Sequence, residues 1–410
     1  MGGRSDFALN RSKWLLLSGL SAVFCLLAYR FGPLWYSEGN SPLPGDFQVY
    51  WLAAKRWVEG NPIYLPSDPS PFKYSPSFAI FFQATFFQLN PRLAAAVWSV
   101  ASVLAYLGSL GFLGIRLMNR VDRPGRLALG VLAGIALSWH GFLETLSYGQ
   151  ADLFLGSAWV FMMATFLSAP AGWIARSLLV ACILAVKPQF LIALLPLALV
   201  VGKRELLAAA LCTAALYLAP AFTIGPKTLI QQIQAWTDCL RVQQDSAFLA
   251  ANINQSAASV LARWLGRPEW VGALGALGVL GFWLLFGKSA TRSGLHRRPG
   301  TLPWDAALGF FSLALAGYLL FSPLSWRWLT FLWVPLCMSV LALGAPARTL
   351  ALWAGLALLT QSRVSQWVGL WLNEWLGLSL PDAISRWGVP CAASAALFWA
   401  IWKAISTPRK

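Results

Sequence analysis

Acidic side chains are scarce in this chain, with 15 Asp and Glu among 410 residues against 31 Lys and Arg. Histidine is scarcer still: His140 and His296 stand far apart, which argues against a histidine-built metal site. The cysteines (Cys25, Cys182, Cys212, Cys239, Cys337 and Cys391) show no C-x-x-C spacing and sit mostly inside apolar runs. They read as small core residues rather than as disulfides or zinc ligands. Charge of either sign is thin, 11% of residues, while 58% are hydrophobic and the mean hydropathy is +0.61. That balance excludes a water-soluble globule. The net charge of +16 would suggest nucleic acid in a soluble protein. Here the bases cluster in short loops between apolar runs, as the positive-inside rule requires, so no nucleic-acid partner is expected.

What the chain does have is a succession of apolar runs, which define an all-α, polytopic membrane bundle. Arg4, Arg11 and Lys13 precede the first run, Trp14 to Phe31, and hold the N-terminus in the cytoplasm. That run is long enough to stay as a span and lacks a small-residue cleavage pattern, so no cleavable signal is expected. The loop from Gly32 to Pro76 is then outside. It carries Asp46, a surface helix expected over Phe47 to Val58, and a stop at Glu59-Gly60-Asn61-Pro62. The apolar run from Ser77 to Leu89 is short for a crossing, and Asn90-Pro91 separates it from a long one, Leu93 to Leu117. Runs at 127–146 and 151–168 form a hairpin around Ser147-Tyr148-Gly149-Gln150. Two half-length runs meet at Lys187-Pro188, on the outer side because Lys203 and Arg204 mark the far end as cytoplasmic. A second outer region, Gly225 to Trp270, holds an amphipathic piece around Ile230 to Leu240 and the polar Asn254-Gln255-Ser256. Spans at 304–321 and 328–343 meet outside at Ser322 to Arg327, and the last runs follow, with Trp367, Trp371 and Trp375 as an interfacial belt. The expectation is about twelve crossings with both ends cytoplasmic, in one domain over 1–410, with a core over 14–345 and C-terminal spans over 346–410.

On this topology Asp46, Lys73, Gln150, Lys187, Asn254, Gln255, Ser322 and Arg327 share one outer face. Polar residues gathered at span ends suggest a cavity rather than a conduction path, which would need polar groups through the whole depth.

Asp46 with Tyr50, then Gly60-Asn61-Pro62-Ile63-Tyr64, Tyr74-Ser75-Pro76, Gly149-Gln150, Lys187-Pro188, Asn254-Gln255-Ser256 and Ser322-Pro323-Leu324-Ser325-Trp326 occur in an order that resembles glycosyltransferase family 87. The resemblance implies a GT-C fold and a mannosyltransferase that draws on a polyprenyl-phosphate sugar. Two departures stand out: the family usually follows Ser-Pro-x-Ser-Trp with a His pair, where this chain has Arg327-Trp328-Leu329, and it usually has Asn soon after Gly-Gln, where this chain has Asp152. The resemblance implies inverting hexose transfer to a lipid-linked or glycan acceptor, with the active site on the periplasmic or extracellular side of an inner membrane. Membrane lipids are the surrounding partners.

The resemblance gives the residues roles, each beside a plainer one. Asp46 is the candidate base, since a carboxylate at a low-dielectric edge gains basicity; it is alternatively the cap of the helix that follows it. Lys187, Arg327, Lys73, Gln150 and Asn254 are candidates for the donor phosphate, Arg327 in place of the His pair. Lys187 and Arg327 could instead snorkel to the interface, and Lys73 with Tyr74 could be an aromatic-basic anchor. Sugar or acceptor contacts fall to Tyr50, Trp51, Tyr74, Glu144, Asp152, Gln255, Ser322 and Trp326, with Glu144 and Asp152 alternatively in a solvated turn. Asp46 has no acidic sequence neighbour, so neither metal nor cofactor is expected. A flippase or transporter of a lipid-linked sugar would share such a cavity, and an inactive relative serving as an assembly subunit would account for the missing His pair.

Overall fold

A computed structural model describes residues 43–68, 70–118, 120–122, 129, 140–167, 172–242, 246–251, 254–292, 303–322, 325–344 and 388–406. The expected first span, the Trp367 to Trp375 belt and both chain ends lie outside them. The described residues are helical, and no strand occurs among them beyond an isolated bridge between Asn254 and Trp326.

In chain order the helices are α1 (Gly45–Val58), α2 (Pro76–Thr85), α3 (Pro91–Met118), α4 (His140–Tyr148), α5 (Asp152–Phe166) and α6 (Trp173–Val186). A 3-10 turn (Pro188–Phe190) leads to α7 (Leu191–Leu197), α8 (Lys203–Leu218), α9 (Pro226–Val242) and α10 (Ala257–Trp264). Then come α11 (Val271–Arg292), α12 (Trp304–Phe321), a 3-10 segment (Arg327–Leu332), α13 (Trp333–Ala342) and α14 (Val389–Ser406).

Five stretches among the described residues are long and apolar enough to cross a bilayer: Pro91–Met118, Lys203–Ile224, Pro268–Arg292, Trp304–Phe321 and Val389–Ser406. Asp152–Phe166, Trp173–Val186, Pro188–Leu197 and Leu329–Ala342 are apolar but shorter. The expectation of twelve crossings is not confirmed: the described residues hold five such helices, and part of the expected count falls on residues outside them.

The long helices divide by surroundings. α12 is apolar on every side and 78% of its apolar window is buried, whereas the Lys203–Ile224 stretch is 11% buried. A helix that is hydrophobic all round belongs in a core, and one whose Leu residues face outward belongs against lipid tails. α12 therefore forms the centre, packed on α14, α7 and α11, while α8 lies outside and is held through α6. Arg176 of α6 grips Glu205 of α8 through two hydrogen bonds of 2.8 and 2.9 Å, and Ser177 Oγ donates to the Glu205 carbonyl.

A separate aromatic cluster caps one end of the bundle. Phe47 and Tyr50 of α1 meet Phe78 and Phe82 of α2 and Trp98 of α3, with Phe72 and Tyr74 from the connecting loop. Tyr50 stands edge-on to Tyr74 and to Phe78, ring centroids 5.0 Å apart in both pairs. Such edge-to-face contacts favour one ring arrangement over others, so this cluster sets how α1 packs on α2 and α3. Ser75 starts α2: its hydroxyl accepts from Phe78 N and donates to the Ala185 carbonyl at the end of α6.

Candidate functional site

α1 begins two residues earlier than the sequence pattern suggests, at Gly45 rather than Phe47. Pro44 occupies the cap position with no side-chain cap bond, so Asp46 lies in the first turn, near the positive end of the helix, and caps nothing. The cap reading is therefore corrected. The Asp46 carboxyl takes a hydrogen bond from the Gln150 side chain and feels Lys187, Asp152 and Lys73. Burial raises its proton affinity above the ordinary carboxylate range, and the nearby Lys187 opposes that rise.

Gln150 reaches Asp46 because of the glycine before it. Gly149 has φ +66°, and a Cβ there would lie 2.9 Å from Phe47 Cβ and 3.1 Å from Pro44 Cβ. A glycine is needed both for the left-handed backbone and for the close approach of α1. Trp98 Nε1 donates to the Gly149 carbonyl at 2.9 Å and pins the same turn from α3.

Lys187 sits in the break between α6 and the following 3-10 turn, in extended conformation. Its ammonium donates to both oxygens of Asp152 at 2.8 Å, and it stands 5.6 Å from the centre of the Tyr74 ring. Snorkelling does not describe this lysine, whose side chain is 16% exposed, nor does a solvated turn describe Asp152, which is 1% exposed and opens α5. The structure thus brings Asp46, Gln150, Asp152, Lys187 and Lys73 together from four separate parts of the sequence. It also gives Asp46 the acidic neighbour that sequence adjacency did not reveal.

Lys73 is half-buried, and burial lowers its proton affinity while Asp46 opposes the change. Its ammonium lies 5.1 Å from the Phe248 ring centre, and Phe248 meets Trp326 edge-on at 5.3 Å. Trp51 packs away into the aromatic cluster, 4.8 Å from Phe87 and 6.2 Å from Phe47. Tyr50 and Tyr74 are buried with their hydroxyls 2.8 Å apart, and Ala151 N donates to Tyr50 Oη at 3.1 Å.

Asn254 is not a free donor for a phosphate: its Oδ1 accepts from Ser256 N and Ser325 N, and its Nδ2 donates to the Leu249 carbonyl at 2.7 Å. That amide ties two loops together, and Gln255 continues the tie by donating its backbone N–H to the Ser325 carbonyl at 2.6 Å. Gln255, Ser322 and Glu144 are buried, the last on α4. Arg327 opens the second 3-10 segment, and its side chain lies outside the described ones.

Two residues of this region went unnoticed in the sequence. Gln189 Nε2 donates to Tyr318 Oη at 3.0 Å, and Tyr318 also shares a hydrogen bond with Ser322 and feels the charge of Asp152. Gln189 was visible as the polar residue closing Lys187-Pro188-Gln189 between two apolar runs. Tyr318 lies inside an apolar run, and its one signal is a position one helical turn before Ser322.

Among the described residues no group of three or more His, Cys, Asp or Glu is placed to hold a metal ion. The sequence profile of glycosyltransferase family 87 matches residues 72–302, more than half of the chain. The chain therefore belongs to glycosyltransferase family 87, and that membership together with its membrane-length helices marks a membrane glycosyltransferase. Lys73, Gln150, Asp152, Lys187 and Asn254 fall inside the matched region; Asp46 and Ser322 to Arg327 fall outside it. Comparison with curated proteins and with solved structures gives no match.

Proposed function

We propose that the protein transfers one hexose, mannose, from a polyprenyl-phosphate carrier to a lipid-linked or glycan acceptor, with inversion, on the outer side of the inner membrane. The observation that carries this reading is the Asp46 carboxyl, made more basic by burial, hydrogen-bonded to Gln150 and set among Lys187 and Lys73. A proton acceptor and cations for a departing phosphate are what such a transfer needs at one place.

In this scheme an acceptor hydroxyl oxygen attacks the anomeric carbon and its proton passes to Asp46. The bond from that carbon to the phosphate oxygen breaks, and its electron pair leaves with the lipid phosphate. Lys187 and Lys73 oppose the charge that develops there, and Arg327 is the candidate for a two-bond grip on the phosphate. No metal is assigned a part, since both oxygens of Asp152 are already occupied by Lys187.

The test is purified protein in lipid, supplied with polyprenyl phosphate mannose or with a nucleotide-linked mannose, plus a membrane lipid extract as acceptor. Transfer from the polyprenyl donor alone, undiminished by a chelator, supports the reading. Transfer from the nucleotide donor, or none from either, contradicts it.

A further inference from the structure

The scheme above leaves Asp152 without a task, although it is the most deeply buried acid of the cluster. An ammonium has three N–H donors, and Asp152 fixes two of those on Lys187, so one is left to turn elsewhere. The place of Asp152 is itself fixed. It opens α5, where the positive end of the helix favours a carboxylate, and the preceding residue, Ala151, gives its N–H to Tyr50. Tyr50 in turn stands one helical turn along α1 from Asp46. Tyr50 thereby ties the helix that carries Asp46 to the residue before Asp152, and both carboxylates act on the same lysine.

We propose that Asp152 is a positioning residue: its two oxygens set where the Lys187 ammonium points, holding the cation between two carboxylates and leaving one N–H for the donor phosphate. The inference rests on the reading of Asp46 as the base. The groups that bear on Asp46 are Lys187, Asp152, Gln150 and Lys73, with the hydroxyls of Tyr50 and Tyr74 nearby. α4 adds Tyr148, which packs against Gly45, and the buried Glu144. Removing the Asp152 charge takes away a neighbouring negative group and releases Lys187 to Asp46. Both changes favour the ionised form of Asp46.

The experiment is a pH titration of carboxyl C=O stretches by difference infrared spectroscopy on the full chain in lipid nanodiscs, for the wild type and for Asp46→Asn, Asp152→Asn and Asp152→Glu. The band lost in Asp46→Asn reports Asp46. In Asp152→Asn it moves down by about one pH unit or more, and polyprenyl phosphate without a sugar binds several-fold more weakly, because Lys187 turns to Asp46. Asp152→Glu, which keeps the charge, stays near the wild type in both readouts. An unmoved band in Asp152→Asn, or an equal movement in Asp152→Glu, overturns the inference. Where Asp152→Asn does not fold, the double variant Asp152→Asn with Lys187→Gln is compared with Lys187→Gln alone: polyprenyl phosphate binds the two alike, because Asp152 acts through the lysine, and a further several-fold change in the double variant overturns the inference. Failure of the base reading would show separately, as sugar transfer that persists in Asp46→Asn.

Discussion

Asp46 is an acid that the fold keeps reluctant to ionise. Burial pushes its proton affinity up, and Lys187 and the Gln150 amide only partly counter this. A base must be ionised to work, so kcat/KM falls as pH is lowered through that raised value, at a higher pH than an ordinary carboxylate would give. A pH–rate profile checks this, and an acid limb at the ordinary position would contradict it. The sign for stability is the reverse. The folded chain holds this proton more tightly than the unfolded chain does, so the contribution is present at low pH and is lost as pH rises through the folded value. At Tyr50 the consequence is structural: Tyr50→Phe leaves the buried Ala151 N–H without its oxygen partner. An unpaired buried donor costs about 1–3 kcal/mol, to be read as a lower midpoint of thermal unfolding in detergent.

At the scale of elements, the site is built by where helices stop. Gly149 ends the α4 turn in a backbone conformation that glycine favours, and a side chain there would push α1 away. Gly149→Ala is expected to separate Gln150 from Asp46, lowering kcat while Lys187 and Asp152 stay paired. A wild-type rate in that variant would show the close approach to be unimportant. Ser75→Ala removes an N-cap and a tie to α6 and is expected to cost about 1 kcal/mol, again read by thermal unfolding. These punctuation points were legible in the sequence, because Pro, Gly and Asn interrupt apolar runs: Ser75-Pro76, Asn90-Pro91, Gly149-Gln150 and Lys187-Pro188 each fall at an element boundary. The pairing of Asp152 with Lys187 was not legible. Thirty-five positions separate the two, and the charge pattern supplies no rule that brings them together. Tyr318 was hidden for another reason, since one hydroxyl inside an apolar run does not alter its hydropathy.

For the whole molecule, the division between a central α12 and an outer α8 explains why the chain can be so apolar and still specific. Periodicity alone cannot separate a helix packed on all sides from one facing lipid, and the sequence reading treated both as equivalent spans. The Arg176–Glu205 pair marks the seam between α6 and α8. Breaking a buried pair from one side leaves an uncompensated charge, so Arg176→Met should destabilise by about 3–5 kcal/mol. Arg176→Met combined with Glu205→Leu should lose much less, and equal losses in the two variants would show that charge is not the cause. The central claim, that one carboxyl at the capped end of the bundle accepts the proton in sugar transfer, is tested most directly with Asp46→Asn. Mannose transfer from polyprenyl phosphate mannose is expected to fall by about 10²–10⁴-fold while the donor still binds, whereas transfer at the wild-type rate would contradict the account.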